Sequence, residues 1–156
     1  MKKYLTTLVL VLLSLLACQS KKECVQTFPD GTLHRKYVTI DGKIEGEMLD
    51  YSHNGKLVSR KFFKNDKQDG KTEYYFESGK MREVQYYKDG LRTLFDTVWL
   101  ENSRISNIIQ YDQGKLNGSF MSFDSTGTKI FHALYKDDQL VKVLTSLKEV
   151  QDQQKK

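Results

Sequence analysis

Tyr51 to Gly79 reads Y-S-H-N-G-K-L-V-S-R-K-F-F-K-N-D-K-Q-D-G-K-T-E-Y-Y-F-E-S-G, one complete copy of a unit that the chain repeats about every 24 residues. Written in rows of that length, the sequence falls into columns. Gly31, Gly55, Gly79 and Gly127 share one, with Ser103 in the remaining place. Gly46, Gly70 and Gly118 share a second, with Leu94 in the gap. Gly42, Gly90 and Gly114 share a third with Asp66 and Asp138. Tyr51, Tyr75, Trp99 and Phe123 form an aromatic column, and Phe63, Tyr87, Tyr111 and Tyr135 form another. Self-similarity at one fixed period is the signature of a stacked-repeat architecture and takes precedence over local propensity.

Within each unit two extended runs alternate with two turns. After Gly55 the run places Leu57, Ser59, Lys61 and Phe63 on one side and Val58, Arg60 and Phe62 on the other, as alternating strand side chains require. Asp41-Gly42, Asn65-Asp66, Asp89-Gly90 and Gln113-Gly114 follow such runs. Asp-Gly between extended segments signals a two-residue hairpin, because a type I′ turn needs positive φ at both central residues. The other turns close on His53-Asn54-Gly55, Glu77-Ser78-Gly79 and Ser125-Thr126-Gly127, where glycine adopts left-handed backbone without a Cβ clash.

Each unit is therefore a hairpin. A lone hairpin is marginal in water, so the units must stack and pair with their neighbours. The fold expected is all-β: a single-layer antiparallel sheet of stacked hairpins spanning residues 28–139. Its aromatic columns are expected to form ladders of rings across the sheet. The fourth row departs, with Leu94 and Ser103 in place of glycine and Trp99-Leu100-Glu101-Asn102 before the turn. A bulge or a differently shaped turn is expected between Leu91 and Asn107. After Tyr135 the period fades, and Leu140, Val143, Leu144, Leu147 and Val150 follow helical spacing. This predicts a short amphipathic helix within 140–156, capping the last hairpin and covering its edge. A sixth partial hairpin is the alternative.

Rows such as Y-S-H-N-G-K-L-V-S-R-K-F-F-K-N-D-K-Q-D-G-K-T-E-Y-Y resemble the variant MORN repeats of bacterial lipoproteins, from Phe28 to about Lys136. That resemblance implies a non-catalytic binding or scaffolding module. It also implies an alternative, since some proteins with these repeats carry an antitoxin or immunity label.

The amino terminus reads as an address. Lys2 and Lys3 precede an apolar run from Leu5 to Leu16, too short to span a bilayer comfortably. It ends in Leu15-Leu16-Ala17-Cys18, which resembles a lipobox. Residues 1–17 are expected to be a signal peptide. Cys18 is expected to carry a thioether-linked diacylglycerol and an N-acyl chain such as palmitate; two or more acyl chains anchor durably where one does not. Gln19, rather than Asp, follows the cysteine, which by analogy with double-membraned bacteria directs the protein to the outer membrane. Residues 18–27 are expected to be a polar tether, with Cys24 an exposed thiol upon it.

Composition narrows the functions. Of 156 residues, 38% are hydrophobic, yet Tyr (9) and Phe (8) are abundant, suiting a thin sheet with aromatic faces. Ten glycines in register argue against disorder. Net charge is +5, and +3 without Lys2 and Lys3, with both signs interspersed. No basic stripe emerges, so nucleic acid is not an expected partner. No catalytic constellation and no metal-ligand spacing is visible: His34, His53 and His132 fall in different columns. No enzyme activity and no cofactor beyond the lipid are expected. Because Phe62-Phe63, Tyr74-Tyr75-Phe76 and Tyr86-Tyr87 put rings on both faces of one layer, some must stay accessible. Phe62, Phe63, Tyr74, Tyr86, Tyr87, Tyr111 and Tyr135 are the candidate binding surface, for a protein, a peptide, a glycan or a second copy.

Overall fold

The computed structural model describes residues 20–145. The expected signal peptide and Cys18 lie outside the described residues. The strands are β1 (Lys21–Thr27), β2 (Leu33–Ile40), β3 (Lys43–Tyr51), β4 (Leu57–Lys64), β5 (Lys67–Gln68), β6 (Gly70–Tyr75), β7 (Met81–Lys88), β8 (Leu91–Trp99), β9 (Ile105–Asp112), β10 (Lys115–Phe123), β11 (Lys129–Lys136) and β12 (Gln139–Thr145). They form one open antiparallel sheet in chain order, with β5 a short extension paired to β4. Apart from β4 and β6, which pair across the two-residue β5, every neighbour in the sheet is a neighbour in sequence, as short hairpin loops dictate.

The period has a local cause. Asp41, Asn65, Asp89, Gln113 and Asp137 all have φ near +50°, and the residue after each is also at positive φ, giving the type I′ turn at five places. At the other end of the strands a second turn recurs. Gly55, Gly79, Ser103 and Gly127 donate their N–H to the carbonyls of Ser52, Phe76, Leu100 and Asp124, and the first copy does the same from Gly31 to Phe28. Residues 24 apart thus occupy equivalent places.

Repeats are also sewn to one another. Lys56 and Lys80 donate from Nζ to the carbonyls of Glu77 and Glu101, and Arg104 donates to that of Ser125. In three successive rows the cation after the turn residue (Gly55, Gly79 or Ser103) therefore clamps the next repeat's turn. At the opposite edge, the carboxylates of Asp41, Asp66 and Asp138 accept from the backbone N–H of Ser20, Ile44 and Leu116, one hairpin back.

In the fourth row the expected bulge is present: the β7–β8 register shifts between Val84 and Tyr86, and the β8–β9 register between Val98 and Trp99. Like shifts recur in other rows, so this hairpin is a regular member of the series. Leu94 (φ 60°) and Ser103 (φ 65°) take the left-handed backbone that glycine holds in the other rows. Leu100 and Arg104 close the same turn as their counterparts. Pairing with the flanking repeats fixes the backbone, so the local preference of Leu94 yields at a cost of about 1–2 kcal/mol.

Three expectations are corrected. Lys21–Thr27 is no tether but an edge strand, with Cys24 paired to Tyr37. Leu140–Thr145 is strand, not helix: β12 turns back at Asp137-Asp138 and pairs with β11. The remainder of the expected helix, 146–156, lies outside the described residues. Finally, the aromatic columns are not ladders of touching rings. A 24-residue step is two strands, about 9–10 Å, so each ring faces something smaller: Tyr51 faces Leu57, Tyr75 faces Met81 and Trp99 faces Ile105.

A single layer has no interior of its own. Among the described residues the buried hydrophobic side chains are Met48, Val84 and Ala133, outnumbered by buried polar ones. Burial here comes from side-by-side neighbours on one face, and polar groups so covered must find partners laterally.

Candidate functional site

Directly paired residues share a face, so the registers sort the candidate rings. Gly46 pairs with Phe63, Gly70 with Tyr87, Leu94 with Tyr111 and Gly118 with Tyr135. Tyr74 pairs with Ser59 on the same face. Phe62 pairs with Glu47, and Tyr86 with Lys71, on the opposite face. The structure therefore brings five of the seven candidates together and separates Phe62 and Tyr86 from them. The glycine opposite each of three rings leaves its flank free of a cross-strand side chain, which explains why ring and glycine columns run together in the sequence.

Arg92 stands between two rings of this row. It donates to the Tyr87 hydroxyl at 3.3 Å and to the Tyr111 hydroxyl at 3.2 Å, and its guanidinium lies 5.1 Å from the centre of the Tyr111 ring, a cation–π distance. Tyr87 in turn donates to Gln85 (2.8 Å), whose amide donates to Glu83. The row ends among apolar rings, with Phe120 5.7 Å from Phe131 and 6.3 Å from Tyr135. Burial, reinforced by the neighbouring Tyr87 and Glu83, raises the Tyr74 hydroxyl above its ordinary range. Lys61 and Arg82 sit within cation–π reach of its ring.

Two carboxylates lie beneath this surface in opposite states. Asp50 is desolvated, which favours protonation, but Arg35, Lys61 and Ser59 all donate to it and hold it down at about 2. Asp96 is 1% exposed. Arg92 Nη1 lies 3.0 Å from its Oδ2, yet off the hydrogen-bond direction, and neither oxygen has a donor among the described residues. The short distance and the missing hydrogen bond conflict only superficially: Arg92 spends its directed donors on the tyrosines and reaches Asp96 as a charge. Burial pushes Asp96 up to about 6, Arg92 opposing and Glu83 assisting.

Sequence reading found the rings but missed both carboxylates. For Asp96 a signal existed: its column reads Met48, Thr72, Asp96 and Phe120, and an acid among those residues is out of place. The Asp50 network had none, since Arg35, Ser59 and Lys61 meet only through register. Phe28 also gathers two histidines that no spacing relates, with His34 at 4.5 Å and His53 at 5.1 Å between ring centres. Among the described residues, no group of three His, Cys, Asp or Glu could hold a metal ion.

Comparison with known proteins agrees with the repeat reading. The family described as MORN repeat variant matches at residues 44–65 and 68–89, so two such repeats lie in β3 to β7. No curated protein matches the chain. Among solved structures, the chain is similar to part of the crystal structure of the GtfA/B complex bound to UDP and GlcNAc. Identity is 11%, coverage is 69% of this chain and 24% of that one, and the TM-score is 0.35. The present chain spans about a quarter of that protein, and a likeness so distant carries no argument about chemistry.

Proposed function

We propose that this chain, which carries two MORN variant repeats within a longer 24-residue series, is a non-catalytic binding or scaffolding lipoprotein of the bacterial cell envelope. Cys18 bears the lipid and holds the sheet at the outer membrane. The face carrying Phe63, Tyr74, Tyr87, Tyr111 and Tyr135 receives a protein, peptide or glycan partner. MORN repeats suggest a repeat-based binding or scaffolding role, and the observation that carries the reading is the glycine-flanked row of rings with Arg92 between two of them. Tyrosines offer an apolar body and a polar tip at little cost in side-chain entropy, which suits recognition surfaces.

Two experiments test the two halves separately. Labelled palmitate and membrane fractionation are applied to the wild type and Cys18→Ser; persistence of label and membrane association in the variant refutes the anchor. Whole-cell cross-linking with mass spectrometry is applied to the wild type and to Tyr87→Ala/Tyr111→Ala. The partner captured by the wild type is lost from the variant, and equal capture by both removes this face from the binding site.

A further inference from the structure

We propose that β12 is a docking edge for a second copy of this chain, two β12 strands pairing antiparallel about a two-fold axis to join their sheets. The inference does not rest on the tyrosine face or the lipid anchor.

The sheet is open, and its two edges differ. β1 begins Lys21-Lys22-Glu23, the charged composition by which natural edges avoid pairing. β12 reads Gln139-Leu140-Val141-Lys142-Val143-Leu144-Thr145, and four of its residues are exposed and apolar: Leu140 (55%), Val141 (63%), Val143 (44%) and Leu144 (41%). Among the described residues it has one strand neighbour, β11. The ladder with β11 shifts register twice, between His132 and Ala133 and between Leu134 and Tyr135, which bulges β12 and leaves Val141 and Leu144 paired to no β11 residue.

The sequence of this edge says what covers it. A two-fold interface must be complementary to itself, and Leu140-Val141-Lys142-Val143-Leu144 is the same read in either direction. With the axis at Lys142, Leu140 faces Leu144 of the second copy and Val141 faces its Val143. Every apolar residue then meets another. Only Lys142 meets its like, and like charges directly opposed weaken a strand pair. That single repulsion sets the sign of two responses: added salt strengthens the association by screening, and removing the charge strengthens it further. β1 offers Lys21 and Lys22 to the same strand, so head-to-tail pairing of β12 onto β1 is the poorer match.

The test co-expresses two differently tagged copies of the full-length chain, one bearing a photo-cross-linking phenylalanine analogue in place of Leu144. A product containing both tags is expected, with attachment mapped to residues 139–145 of the second copy. Val141→Lys/Val143→Lys places lysines opposite lysines and lowers the two-tag product by about tenfold. Should that variant fail to fold, Lys142→Gln at an exposed position must raise the product, as must added salt. Attachment confined to the analogue's own chain overturns the proposal. So does attachment to β1 of the second copy, or a yield indifferent to Lys142→Gln.

Discussion

Arg92 lies 3.0 Å from Asp96 but gives its hydrogen bonds to Tyr87 and Tyr111. The guanidinium thus holds two surface rings in place while leaving a buried carboxylate with no directed donor among the described residues. Arg92 is more firmly protonated than usual: burial opposes its charge, but Tyr87 and Asp96 outweigh it. The tyrosine row and the buried acid are coupled through this one side chain.

Asp96 therefore destabilises the fold when charged. Its folded value is about 6 against about 4 in an unfolded chain, so the folded state binds the extra proton between those limits. Stability is lower above pH 6, rises as pH falls towards 4, and gains nothing more below that. Asp96→Asn is expected to raise stability at pH 7–8 by roughly 1–3 kcal/mol. The difference from wild type should vanish at pH 4 in urea titrations, and a gain independent of pH would assign it to another cause.

Asp50 has the opposite sign in a lower window. Held at about 2 when folded, it contributes stability that is fully present above pH 4 and lost as pH falls towards 2. Asp50→Asn should cost on the order of 2–3 kcal/mol at neutral pH, with Arg35 and Lys61 left without their acceptor. Thermal melts of the pair are expected to converge near pH 2.

Leu94 should be improvable. It holds φ 60° while 56% exposed, so it bears left-handed strain with little burial in return. Leu94→Gly is expected to stabilise by about 1 kcal/mol. Ser103→Gly at φ 65° should act in the same direction and add to it, because the two sites lie at opposite ends of their strands. Loss of stability in Leu94→Gly would mean that its contact with the Tyr111 side of the sheet matters more than its backbone.

Gly118 is the converse case. Its φ is 114°, and a Cβ there would stand 2.1 Å from Gln110 Oε1, the atom that accepts the Ser119 N–H. Gly118→Ala should destabilise by about 1–2 kcal/mol. Adding Gln110→Ala to it is expected to recover the clash but not the backbone strain, and a double-mutant cycle on equilibrium unfolding reads the difference.

Much of the architecture was written in one dimension. Turn chemistry is local: Asp-Gly, Asn-Asp and Gln-Gly fix where the chain reverses, and alternation fixes which side chains share a face. That is why the repeat, the hairpins and the paired ring and glycine columns could be read from spacing. The C-terminal strand could not, because Leu140, Val143 and Leu144 fit a helical spacing as well as an edge strand, and only pairing with β11 separates the two. Tyr86 and Tyr87 look alike in sequence, yet a one-residue step puts them on opposite faces.

By itself the sequence determined the period, the type I′ turns and the single-layer sheet, because each depends on contacts between residues close along the chain. Only the tertiary structure decided that Arg35, Ser59 and Lys61 converge on Asp50, that Asp96 is buried without a donor among the described residues, and that Leu94 adopts a glycine's conformation. Those outcomes arise from the register of strands, which brings together side chains that no spacing in the sequence relates. Neighbouring repeats then hold the backbone in place against the preference of any single residue.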